Sequence, residues 1–294
     1  MTREIDVSGA AAPWEISARV WARIGARSLN GAMIDDYGIF ASSIAFAAFL
    51  SILPLMSLVA LIYGMAVPDT VVAANVGTVV GILPQGAQAL VKSWLTNSLT
   101  RHDGGIIALV VSAAITLFGA RRAGRSLLHG LNVASEIPQD RGPIAGALVS
   151  IVIVAAAAGL MLVALLAISA LALIQGLVPT GLPGASSIFQ LILWGSLTLG
   201  SAAVLTLTYR YAVASKPIPW LWSIPGALSA VLLWIGATSA FRFYVSRIAN
   251  YASTYGSLSA VIVLLLWLML SAYILLFGAK LNAEAMAAAG LHRS

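Results

Sequence analysis

Long apolar stretches, nearly free of charge, alternate along this chain with short polar or proline-glycine breaks. Six stretches stand out: about Gly38 to Val67, Gly104 to Ala120, Ile144 to Leu177, Ile188 to Tyr211, Trp220 to Tyr244, and Gly256 into "GAKLNAE". A membrane-spanning helix needs about 20 apolar residues. The pattern therefore predicts an all-α, polytopic transmembrane helical bundle of about six spans. The second stretch is short, but its helical pattern continues through "RRAGRSLLHGLN". "VPTGLPGASS" and "SKPIPW" mark turns.

The flanks read differently. In Trp14 to Leu29, arginines recur at positions 19, 23 and 27, with Trp14, Val20, Trp21 and Ile24 as apolar surface. This predicts an amphipathic helix. Two placements stay open for it, in the headgroup plane or as a cytosolic cap packed on the bundle. Residues 68–103 are too polar to span and predict an extracytoplasmic helical hairpin. The expected organisation is a cytoplasmic amphipathic segment at 1–35, one transmembrane domain at 36–288 and a tail at 289–294.

Composition strengthens the membrane reading. The chain is 60% hydrophobic and 9% charged, against about 25% charged in soluble domains. Its net charge of +6 comes from basic residues at the ends of the apolar runs, which favours lipid headgroups over nucleic acid as a partner. With that span order, twelve Lys and Arg residues fall on one side and four on the other. The positive-inside rule then places both termini in the cytoplasm. No cleavable leader is recognised, and insertion is expected to rely on the first span. Without cysteine, disulfides and thiolate chemistry are excluded.

Candidate chemistry is sparse. His102, His129 and His292 lie on separate segments, so no metal site is expected. No Walker, dinucleotide or nucleophile-elbow context is present, and no cofactor is expected. No acid falls in the middle of a span, which argues against a proton relay. The sharpest group is Arg121, Arg122, Arg125, His129 and Asn132, which share one helical arc. Guanidinium forks suit phosphate, so this stripe is a candidate substrate-binding face for an anionic headgroup; plain topological anchoring is the alternative. Pro54 lies mid-span and frees the carbonyl of Leu50. Ser51 or a neighbouring helix is expected to satisfy that carbonyl, making Ser51 and Pro54 a candidate hinge or gate. Asp35, Asp36, Lys280, Asn282 and Glu284 form a candidate charge network at the helix boundary. Lys280 is expected at the cytoplasmic edge where the chain leaves the membrane, one turn before Glu284 on the same helix face, a pair worth little if exposed, with Glu284 or Asp36 reaching Arg121 or Arg125 across helices.

Three blocks resemble the YihY/BrkB family of bacterial inner-membrane proteins. They are "ASSIAFAAFLSILPLMSLVALIYG"; "LLHGLNVASEI"; and "YRYAV" followed by "IPGALSAVLLWIGATSAFRFYV" and "YGSLSAVIVLLLWLMLSAYILLFGAKLNAE". One departure is that Val213 and Ala214 stand where such proteins often read Pro-Asn. The resemblance implies a helical protein of the bacterial inner membrane with about six spans. A ribonuclease label has circulated for the family, yet too few histidines and acids are present here to support it. A role in lipid or lipid-linked export, suggested for some relatives, fits the basic edge. The leading expectation is a transporter or handler of an anionic lipid or other amphipathic anion, with anionic phospholipid as partner and homo-oligomerisation open. A non-catalytic membrane scaffold is second, and an intramembrane enzyme third.

Overall fold

The computed structural model describes residues 12–34, 37–66, 105–137, 142–177, 185–213, 218–247 and 258–291, with residues 81, 88, 92 and 93. The expected hairpin therefore lies outside the described residues apart from those four, as do Asp35 and Asp36. Every described element is helical. After a 3-10 turn at Pro13–Glu15 come α1 (Ala18–Ile34), α2 (Tyr37–Ala66), α3 (Gly105–Ala134), α4 (Pro143–Leu177), α5 (Ala185–Tyr211), α6 (Trp220–Arg247) and α7 (Ser259–Ala288). The second apolar stretch and its basic continuation form one helix, α3, as the unbroken pattern predicted.

Four helices contain segments long and apolar enough to cross a membrane: Ile144–Ala167, Gln190–Tyr211, Trp220–Ser246 and Ser259–Ala288. The number becomes five if α1 and the first half of α2, bent by 73° at their junction, are taken as one broken span. The expected six is thus met only as a helical membrane bundle with four or five qualifying spans among the described residues. The outer surface agrees with lipid as solvent. Ile144, Leu148, Val152 and Val163 of α4, Leu191 and Ile192 of α5, and Leu232 and Phe243 of α6 are exposed. An apolar surface of this extent is not tolerated by a water-soluble monomer.

Helix α7 packs against α1, α2, α3 and α6. One core gathers Tyr37, Ala41 and Ile44 of α2, Leu128, Leu131 and Ala134 of α3, Tyr209 of α5, and Ala272 and Leu276 of α7. Lipid tails are as apolar as leucine, so close packing and interhelical hydrogen bonds must hold such helices together. Small residues permit it. A Cβ added at Gly119 of α3 would meet Ser51 Cβ of α2 at 2.6 Å, and one added at Gly124 would meet Ser150 Oγ of α4 at 2.6 Å. Helices α6 and α7 run antiparallel in constant register. Trp234 Nε1 of α6 donates to Ser271 Oγ of α7 at 2.9 Å, and Trp267 Nε1 of α7 donates back to Thr238 Oγ1 of α6 at 3.3 Å. Each helix thus supplies one indole and one hydroxyl, and both buried N–H groups are satisfied.

Helix α1 does pack on the bundle. Ile16, Ile24 and the partly buried Trp21 join Ile218, Trp222, Phe277 and Met286 in a second apolar cluster. Tyr273 Oη also donates to the carbonyl of Ala32 at 3.3 Å.

Candidate functional site

Several helix ends meet at one end of the bundle: the last turns of α3, α5 and α7, and the first turns of α2 and α6. The candidate residues divide there into an exposed basic face and a buried polar junction.

Arg121, Arg122, Arg125 and His129 are exposed on α3. The His129 ring tilts against Phe40 of α2, centroids 5.5 Å apart. Asn132 lies in the same helical arc but is buried, so it does not belong to the open stripe. The reason is local. Leu131, Asn132, Ala134 and Ser135 are all buried, because the end of α3 is enclosed on nearly every side.

Helix α3 closes with Ile137 N–H donating to the Asn132 carbonyl at 2.9 Å and Glu136 N–H to that of Val133 at 3.0 Å. This is the bonding of a Schellman cap, which places its C′ residue in the left-handed region. That residue is Glu136, with φ of 57°, where glycine is usual. The carboxylate of Glu136 pairs with Lys280 of α7. Glu136 is 70% exposed and Lys280 only 3%. One turn on, Glu284 lies 3.4 Å from the same ammonium. Lys280, expected at the membrane exit, is buried. Among its partners are Glu136, which sequence reasoning missed, and Glu284, one turn on. The expected pairing of Glu284 with Arg121 or Arg125 is not formed. Glu284 turns to Lys280 because the arginines face outward on α3. The proposed pairing of Asp36 falls outside the described residues.

Asn282, 1% exposed, is a helix clip. Pro225 sits inside α6, lacks an N–H and disturbs the helical ladder around it. Asn282 Oδ1 accepts from Gly226 N–H at 2.7 Å, and Nδ2 donates to the Ser223 carbonyl at 3.1 Å. Both bonds flank the proline. Changing Asn282 to alanine is expected to cost about 2 kcal/mol, the penalty for stranding a buried amide, read as a lower unfolding midpoint in detergent. Asn282→Asp is expected to cost at least as much, since it loses the donor to Ser223 and buries a charge.

Two further residues tighten this end. Tyr209 Oη of α5 donates to the Leu275 carbonyl of α7 at 2.8 Å. Arg210 donates to the Ile218 carbonyl and lies 4.5 Å from the centre of the Trp220 ring. It thereby bridges the α5–α6 turn, a role its sequence position alone did not signal. The hydroxyl of Ser51 bonds the carbonyl of its own helix at Ala47, 2.7 Å away, and not that of Leu50. Helix α2 continues through Pro54, whose side chain lies outside the described set. Among the described residues, no group of three or more His, Asp or Glu is placed to hold a metal ion.

Comparison with known proteins gives this arrangement relatives. A family model described as virulence factor BrkB matches residues 29–293. A Bacillus subtilis protein named as ribonuclease-like protein YfkH is 32% identical over 211 residues, covering 70% of this chain and 75% of its own length. A UPF0761 membrane protein of Alkalilimnicola ehrlichii is 28% identical over 208 residues, 67% of this chain and 43% of that protein. Another, from Pseudomonas paraeruginosa, is 36% identical over 115 residues, 39% of this chain and 26% of its own. The chain thus spans less than half the length of these two membrane relatives. No solved structure matches.

Proposed function

The chain belongs to the BrkB family, and we propose that this integral membrane protein handles an anionic lipid or other amphipathic anion at the basic end of its bundle. The single observation carrying the reading is the exposed face of Arg121, Arg122 and Arg125 on α3. Guanidinium forks recognise phosphate oxygens in pairs. A neighbouring apolar surface suited to acyl chains supports an amphiphile over a free anion. In this reading the bundle has six spans in a bacterial inner membrane, both termini face the cytoplasm, and the basic end lies at the cytoplasmic leaflet. The nuclease activity in the name of the Bacillus relative is not part of it.

Reconstitution with tagged lipids tests the proposal. Replacing Arg121, Arg122 and Arg125 by glutamine is expected to weaken retention of an anionic lipid about fivefold per arginine, since each basic group near an anionic surface contributes about 1 kcal/mol. Lysine replacements keep the charge and lose only the forked geometry, so they should fall between. Unchanged retention in the glutamine variant would refute the headgroup role. A scaffold without cargo is the second reading. It is favoured by Ser51, Ser150 and Thr206, whose hydroxyls are spent on carbonyls of their own helices. Equal lipid movement in empty and protein-loaded vesicles would decide for it.

A further inference from the structure

Helix α1 carries a second surface, independent of the reading of α3. At about 100° per residue, its positions sort into three faces. Ile24, Ser28 and Ala32 are buried against the bundle. Arg19, Arg23 and Arg27 make a basic edge with Asn30; Arg19, Arg23 and Asn30 are exposed and Arg27 partly so. The outer face holds Ala18, Ala22, Ala26, Leu29 and Met33. Leu29 is 50% exposed and Met33 75%. Trp21 Nε1 of this helix donates to the carbonyl of Pro13, before the helix, at 3.2 Å. This bond fixes the 3-10 turn on which the exposed Trp14 stands.

An apolar strip beside a row of arginines is poorly suited to water. It matches the boundary between headgroups and acyl chains. The orientation of the helix agrees. Helix α1 meets the first half of α2 at 73°. Helix α2 has 30 residues, a length of roughly 45 Å, which is enough for a core of about 30 Å without α1. With α2 across the bilayer, α1 lies close to the membrane plane.

We infer that α1 is an in-plane docking helix for an anionic lipid surface. Leu29 and Met33 enter the acyl boundary, Trp14 sits at headgroup level, and Arg19 and Arg23 hold lipid phosphates. Packing on the bundle and lying on the membrane are then properties of different faces of one helix. The arginine edge supplies the charge complementarity that commits this surface to anionic lipid.

The absence of cysteine allows single labels at Leu29→Cys, Met33→Cys and Asn30→Cys in the full chain in nanodiscs. The exposed labels at Leu29 and Met33 should be quenched several-fold more strongly by a chain-tagged lipid than by aqueous iodide, with the Asn30 label reversed. A headgroup-tagged anionic lipid should be enriched several-fold over its zwitterionic counterpart at the Asn30 label. That enrichment should collapse in Arg19→Gln/Arg23→Gln and persist in Arg19→Lys/Arg23→Lys. Iodide reaching Leu29 and Met33 as freely as Asn30 would overturn the docking. Shielding of all three labels from both quenchers would also overturn it, pointing to a protein cover. Equal recruitment of both lipid types in the unsubstituted protein would overturn the role of the arginines.

Discussion

Replacing Gly226 with alanine is expected to destabilise the protein by about 3 kcal/mol, the upper range for forcing volume into a packed site. A Cβ there would press on the carbonyl oxygen of Gly278 and lie 2.6 Å from Cγ of Asn282. The first obstacle is backbone, so no rotamer change relieves it. On the facing helix, a Cβ at Gly278 would stand 2.5 Å from Tyr209 Oη and 2.7 Å from the Gly226 carbonyl. Both glycines are therefore required by close approach. Separating the helices would also break the Asn282 bond to Gly226 and disturb the Trp234 and Trp267 bonds farther along. The matched control is Gly236→Ala on the same helix, with nothing within 4 Å of its added Cβ. It should change stability by less than about 0.5 kcal/mol, or raise it slightly because alanine is the better helix former. Unfolding midpoints in one detergent compare the two directly. Equal midpoints would show that the α6–α7 contact is looser than its geometry states.

The second large effect concerns the charges around Lys280. Exchanging Glu136 and Glu284 together for glutamine removes two carboxylates paired with a lysine that is 3% exposed. Stripping partners from a buried charge costs about 3 kcal/mol or more. Adding Lys280→Met to the same variant should recover most of that loss, because the buried charge that lost these two carboxylates is then gone and the methionine chain fills similar volume. Recovery is the diagnostic outcome. If the triple variant is no more stable than the double, the carboxylates act through packing and not through charge. Glu136→Gly separates a further contribution. It removes the carboxylate and also the cost of a side chain at φ of 57°, so it should be milder than Glu136→Ala.

Much of the bundle was legible from the sequence because apolar length is a direct physical requirement of spanning. The starts of α4 and α6 follow from where apolar runs begin beside Pro143 and at Trp220, whereas α7 continues through "GAKLNAE" to Ala288. The contacts between helices were less legible. Gly226 and Gly278 look like ordinary membrane-helix glycines until the register of α6 on α7 is known. Asn282 reads as a boundary residue by position, but its amide completes the backbone beside Pro225. Lys280 and Glu136 are 144 residues apart, and no local spacing rule links them. Asn132 failed for a complementary reason. A helical arc predicts direction around the axis but not how deeply each turn is enclosed, and α3 enters the core within its last turns.

Helix α4 gives the bilayer itself a mechanical role. Only 11% of its most apolar window is buried, against 39% for that of α7. One close approach to a neighbour, Ser150 against Gly124, lies within two turns of its start. The apolar segment has 24 residues, a length of roughly 36 Å in a hydrocarbon layer of about 30 Å. Leaning absorbs the excess. With α4 held near Ser150, its inclination is expected to follow bilayer thickness: a thicker layer should stand it upright and a thinner one lay it over. The α6–α7 pair, fastened along its length, holds its geometry while α4 responds.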